Sequence, residues 1–411
     1  LLVLAAVVLA SCVPPPIVPA PLSTPQPPYG QPLPPTPPPT PPPVAAPAGP
    51  AKVALLVPLS GPNAGLGQAI LNAAQLALFE TGGDQLTLVP RDTKGTSTGA
   101  ADAAHAAVGE GVSLILGPLL AGEVEAVKPV ALDAHIDVIA FSTVTDLAGG
   151  NTFLMGFLPG QEVVREVAYA RQRGIGRFAA LAPDTPYGHL MADALGQAAS
   201  STGATTAKVE FYDPHAGDPS AAIARLLPPT GPPPTADPAA PNQAVPAPPA
   251  IPSFDALLLP EGGDQLAQIA RKLSAAGLDT KATRLLGSGL WDVPDIGSEP
   301  ALDGGWFAAS PPDARRDFER RYHATYGRDP PRLASLGYDA AALAAVLARG
   351  QSGPPFSRAA ILNPNGFSGV DGLFRFTPQG LVQRALAVLE VEPQGNVVVS
   401  PSAQTFQDLG Y

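Results

Sequence analysis

The chain has 411 residues, 45% of them hydrophobic, a formal net charge of −11 and a single cysteine. The apolar content suffices for a packed core, and the acidic balance argues against nucleic acid or an anionic membrane surface as partner. One cysteine excludes an intrachain disulfide and any cysteine-based metal cluster.

The first predicted element is apolar. Residues 1–10 are too few to span a bilayer, which takes roughly 20. They read as the apolar core of a secretory signal, and the sequence is taken to begin inside that signal. Leu9-Ala10-Ser11-Cys12 closes the run and resembles the lipobox of bacterial lipoproteins. The resemblance implies acylation of Cys12 and a lipid anchor in the cell envelope. Val13 behind the cysteine, in place of aspartate, implies the outer membrane. Residues 13–50 are about half proline. Proline fixes φ and lacks the N–H donor, so this stretch is expected to be a semi-rigid tether reaching on the order of 100 Å.

From Lys52 short apolar runs alternate with helical patterns. Strands are predicted over 53–57, 86–89, 112–116 and 137–141, with helices over 63–81, 99–110 and 122–134 between them. The rhythm restarts with a helix over 162–173, a strand over 177–181, a helix over 188–202 and a strand over 208–212. A proline-rich stretch, 228–252, reads as a loop inserted within one domain. Strands over 254–259 and 284–287 flank a helix over 263–276. A helical segment, 315–349, is expected to cross back to the first lobe, and 372–376 with 385–391 to form an antiparallel hairpin. Strands apolar on both faces, separated by helices, indicate parallel sheets covered on both sides. The expected fold is therefore α/β, with two doubly wound Rossmann-like lobes and a cleft between them. Residues 1–12 form the signal and lipobox, 13–50 the tether and 51–411 the body. Lobe 1 is placed at 51–155 plus 325–411, and lobe 2 at 156–324.

These segments carry a resemblance. Lys52-Val53-Ala54-Leu55-Leu56-Val57-Pro58-Leu59-Ser60-Gly61-Pro62 is similar to the first strand and loop of type I periplasmic binding proteins of the leucine/isoleucine/valine class. Ile115-Leu116-Gly117-Pro118-Leu119 resembles their third strand and its loop. Ala140-Phe141-Ser142-Thr143-Val144-Thr145 stands where they have a Ser/Thr loop. Asp184-Thr185-Pro186-Tyr187-Gly188 resembles the turn opening their second lobe. Penicillin-binding protein activators, outer-membrane lipoproteins with this domain, are similar in Gly117-Pro118-Leu119-Leu120 and in the C-terminal hairpin.

Ligands of open α/β sheets sit beyond the carboxyl ends of the strands. Candidate cleft residues are therefore Leu119, Ala121, Gly122, Ser142, Thr143, Thr145, Tyr187, Glu261 and Trp291. The resemblance implies a serine hydroxyl in the loop after the third strand, and here that loop reads Leu119-Leu120-Ala121-Gly122. Ser142, Thr143 and Thr145 suit helix capping and turn formation equally well. Trp291 suits a core or hinge anchor. The histidines are scattered without metal spacing, Gly65-Leu66-Gly67 lacks the third glycine of a dinucleotide fingerprint, and no nucleophile elbow occurs. No cofactor, metal or catalytic activity is expected. Two functions stay open. The preferred one is activation of a peptidoglycan synthase (a penicillin-binding protein) by direct interaction, because the loops lack ligand-fixing groups. The other is delivery of an amino-acid-like ligand to an ABC permease.

Overall fold

The computed structural model describes residues 49–82, 84–227, 252–349 and 355–409. The signal with Cys12, nearly all of the tether 13–50 and nearly all of the loop 228–252 lie outside the described residues.

The first lobe is a parallel five-stranded sheet. Its strands are β1 (Ala51–Val57), β2 (Leu86–Asp92), β3 (Leu114–Leu116), β4 (Asp137–Ala140) and β5 (Thr152–Leu154), in the order β2-β1-β3-β4-β5. Helices α1 (Ala64–Thr81), α2 (Ser97–Gly109) and α3 (Ala121–Asp133) connect them. Val53, Leu55 and Val57 join one core, whereas Ala54 and Leu56 join the core on the opposite face. Period-2 alternation between two apolar environments explains why β1 reads as an unbroken apolar run.

The second lobe repeats the plan. After α4 (Pro159–Gln172) come β6 (Arg177–Pro183), α5 (Pro186–Ser201), β7 (Thr205–Tyr212), α6 (Ser220–Leu226), β8 (Ala256–Leu258), α7 (Gly263–Ala275), β9 (Arg284–Leu286) and β10 (Trp306–Ala309). The chain then returns to the first lobe. Phe318 and Tyr322 of α8 (Pro312–Tyr326) enter the first core, and α9 (Ala334–Ala348) packs along α1. A small antiparallel sheet follows, β11 (Phe367–Gly369), β12 (Gly372–Phe376) and β13 (Val382–Arg384), with Phe374, Phe376 and Val382 in the first core. Finally β14 (Ala387–Glu390) pairs antiparallel with β10, and β15 (Val397–Ser400) with β14. The second sheet thus has the order β15-β14-β10-β9-β8-β6-β7.

Three expectations need correction. Residues 325–411 do not all belong to the first lobe, because β14 and β15 lie in the second sheet. Nor does lobe 2 run to 324, since α8 already packs on the first core. The partners of 372–376 are Phe367–Gly369 and Val382–Arg384, not 385–391. Burial explains the last point. Consecutive Ala387, Val388 and Leu389 are all buried and need cover on both faces, which a place beside β10, between the two cores of the second lobe, provides. In β12 only Phe374 and Phe376 are buried, the alternation of a half-buried hairpin strand. Strands β5, β10, β11, β13 and β15 were not foreseen; each is short.

A candidate ligand site at the crossovers between the lobes

The chain passes between the lobes after β5, after β10 and after β13. A cavity of about 200 Å³ lies where these passages meet. Phe157 and Pro159 come from the first passage, Ala309 and Ser310 from the second, and Leu386 from the third. Glu162, Tyr187, Leu290, Asp292 and Arg332 complete the wall.

Glu162 stands in the first turn of α4 and accepts a hydrogen bond from the Gly289 N–H at 2.7 Å. Burial pushes its carboxyl up to about 7, and Asp292 adds to the rise; the Gly289 N–H and the Arg332 charge pull the other way. One turn further on, fully buried Glu166 accepts from the Ala308 N–H at 2.8 Å, and burial raises its pKa well above the carboxylate range. Tyr187 is hydrogen-bonded with Ser288, and burial raises its phenol. Asp292 is held by two bonds from Arg315 of α8, one of them 3.0 Å from Nη2 to Oδ1.

Arg332 lies 4.0 Å above the Phe157 ring and donates to Ser310 (3.3 Å) and Ser335 (2.9 Å). It also pairs with buried Asp371 at 2.8 Å. Behind it, buried Arg384 donates to the Met155 carbonyl at 2.8 Å and faces the charges of Asp371 and Asp339. Burial and neighbouring Asp371 push the Asp339 carboxyl up. This cluster joins the first and third passages beneath the cavity. Removing one member of such a cluster strands the others in low dielectric.

The loops expected to hold a ligand are differently employed. Leu119 is buried in the first core. Ala121 and Gly122 open α3, and the Gly122 carbonyl accepts from the Ser97 hydroxyl at 2.9 Å. Glu123, 1% exposed, accepts from the Leu120 N–H (3.0 Å) and the Thr93 hydroxyl (2.5 Å). Ser142 is buried, and its Oγ accepts from the Val144 N–H at 3.2 Å, a local turn rather than a free contact. Thr143 and Thr145 are exposed and border an open groove with Pro186 and His189.

On the other lobe, Trp291 is not a cleft residue. It is fully buried in the second core, and its indole N–H donates to the Glu261 carbonyl at 3.1 Å. Its ring fills the space beside Gly287, where a Cβ would come within 2.2 Å. The Glu261 carboxylate accepts from the Tyr212 hydroxyl and from the Gly262 N–H at 3.1 Å, both within the second lobe. Of the residues expected from sequence, Tyr187 alone lines the cavity. Glu162, Asp292, Ser310 and Arg332 were missed. Glu162 opens the predicted helix 162–173, and a lone first-turn acid normally signals nothing beyond the helix dipole.

The cavity combines an apolar wall, two aromatic side chains, one arginine and two carboxyls, Glu162 raised to about 7 and Asp292 paired with Arg315. That set suits reversible binding of a small organic molecule with a polar head. Among the described residues no group of three or more His, Cys, Asp or Glu could hold a metal ion, and no helix is long and apolar enough to cross a membrane.

Comparison with curated proteins gives no match. Among solved structures, a Rhodospirillum rubrum protein assigned to branched-chain amino acid ABC transport is 21% identical, with a TM-score of 0.70 over 85% of this chain and 100% of that one. The branched-chain amino acid transporter substrate-binding protein LivJ from Streptococcus pneumoniae, in complex with isoleucine, is 19% identical (TM-score 0.57; 86% and 100% covered). A solute-binding protein of an ABC transporter from R. palustris, in complex with benzoate, is also 19% identical (TM-score 0.56; 87% and 97% covered). The family model described as periplasmic binding protein matches residues 50–396. That family is typically non-catalytic, and membership implies a place in the periplasm or cell envelope. With two doubly wound lobes around a crossover cavity, the chain belongs to the periplasmic binding protein family, and its fold is the one seen in the leucine/isoleucine/valine-type members.

Proposed function

We propose that this protein is a substrate-binding protein that takes a small carboxylate-bearing ligand, amino-acid-like or aromatic, and presents it to an ABC permease. The observation that carries the reading is the cavity wall: Arg332, stacked on the Phe157 ring, offers positive charge, Leu290 and Leu386 offer apolar surface, and Glu162 and Tyr187 line the same space. Isoleucine and benzoate, the ligands named with two structural relatives, share a carboxylate on an apolar body. Synthase activation is favoured by loops without ligand-fixing groups and by the reach of the tether; this wall offers such groups elsewhere, at the crossovers. Thermal-shift screening of the full chain against the common amino acids and a set of aromatic carboxylates tests the reading. A stabilising hit followed by micromolar binding in calorimetry is expected.

Activation of a penicillin-binding protein retains one supporting observation. The loops after β3 and β4 spend their buried polar groups within the lobe, as an interaction domain without a ligand would. A screen with no hit, together with capture of a synthase by the purified chain, would favour it. The lipid anchor at Cys12 is part of either proposal: Cys12→Ala is expected to leave the precursor unprocessed, read by mass spectrometry of the membrane fraction. Outer-membrane placement goes with the activator reading, and fractionation into the inner membrane would favour transport.

A further inference from the structure

Beyond β15 the chain does not stay with the second lobe. Ser400 and Pro401 are held there by Arg165 of α4, whose Nη2 donates to the Ser400 hydroxyl at 2.6 Å and to the Pro401 carbonyl at 3.5 Å. Six residues after Ser400, Phe406 is 8% exposed and seated on the small sheet of the first lobe. Its slot is specific in shape. Gly366, at φ +70°, leaves the space open, and a Cβ there would come within 2.4 Å of the ring. The Arg375 guanidinium covers the ring from 4.3 Å, and is itself fixed by Gln383 (2.9 Å) and the Pro364 carbonyl (3.1 Å). The intervening chain is stiffened locally, because Thr405 donates to Asp408 at 2.6 Å and the Asp408 N–H returns to the Thr405 carbonyl.

We propose that residues 401–409 are a strap that limits how far the two lobes can open. The backbone passages are hinges: a few residues there can absorb the φ/ψ change of opening. The strap is different in kind. It starts on one lobe and ends on the other through a side chain in a slot, so opening beyond its slack requires Phe406 to leave its aromatic and cationic contacts. Short chain between two fixed points has little slack, at no more than about 3.5 Å per residue. The strap therefore sets the width of the open state and the ease of reaching it. The inference needs only the two-lobe architecture and is independent of which ligand, if any, the cavity takes.

Interlobe distances measure it directly. In the full chain with Cys12→Ser, spin labels are placed at exposed positions on opposite lobes, His105→Cys with Ser201→Cys, and separately Asp133→Cys with Lys281→Cys. Double electron–electron resonance then compares the parent with two variants. Phe406→Ala empties the slot. A six-residue Gly-Ser insertion after Ser402 leaves the slot filled but gives slack. Both variants are expected to broaden the distance distribution in at least one label pair and to at least double the population at its long end. Circular dichroism establishes that each is folded; if Phe406→Ala is not, the insertion decides alone. Distributions that superimpose on the parent in both pairs would overturn the strap. So would broadening by Phe406→Ala without broadening by the insertion, since slack must act as release does.

Discussion

Two regions of this molecule differ in where their polar groups find partners. The loops after β3 and β4 turn theirs inward: Glu123 closes on Leu120 and Thr93, and Ser142 on Val144. The wall at the crossovers lines a cavity with Glu162, Tyr187 and Arg332, which bond across segments: Glu162 to the Gly289 N–H, Tyr187 to Ser288, and Arg332 to Ser310 and Asp371. A hydroxyl or carboxylate near a cleft is thus no guide to binding until its own partners are counted. Buried polar groups must be satisfied, and a group satisfied by its own loop has little left for a ligand.

The comparison can be broken from behind the wall. Trp291→Ala removes the largest buried side chain beneath the 287–292 turn that carries Gly289 and Asp292. It is expected to cost about 4 kcal/mol of unfolding free energy, read by urea denaturation. Arg384→Met keeps volume but leaves Asp371 and Asp339 short of a compensating charge. A loss of about 3 kcal/mol is expected in the same assay, with thermal unfolding separating the lobes if the crossovers loosen.

Titration sharpens the contrast. Folded Glu162 holds its proton up to about pH 7, whereas its ordinary value is 4.5. Between those values the folded state binds more protons than the unfolded one, so stability falls as pH rises through this window and levels off above it. Glu162→Gln should flatten that slope, removing about 3 kcal/mol of change across the window, while Glu166 and Asp339 leave a residual slope. The smallest effect is assigned to the loops. Ser142→Ala is expected to cost about 1 kcal/mol or less and to leave ligand affinity unchanged in calorimetry.

Much of the architecture is legible in the sequence, because strands such as 53–57 and 177–181 are apolar on both faces and the helices between them are long enough to keep their period. The C-terminal strands were harder. Whether 385–391 pairs with its neighbour or with β10 is a tertiary choice, and both leave the same local pattern. The site was less legible still. Leu120 has no side-chain acceptor, so its spacing to Glu123 carries no capping signature, and that this loop closes on itself shows only in the structure. Glu162, Ser310 and Arg332 carry no signal either: each is an isolated polar residue, and only the passages between lobes bring them together.

The central claim is that a ligand is held by the crossover wall and not by the first-lobe loops. A crystal structure of the protein with the tightest-binding compound from the screen tests it most directly. The account predicts that compound between Phe157 and Glu162, with its carboxylate directed at Arg332. Density lying only against Leu119 to Gly122 and Ser142 to Thr145, with the crossover cavity empty, would contradict it.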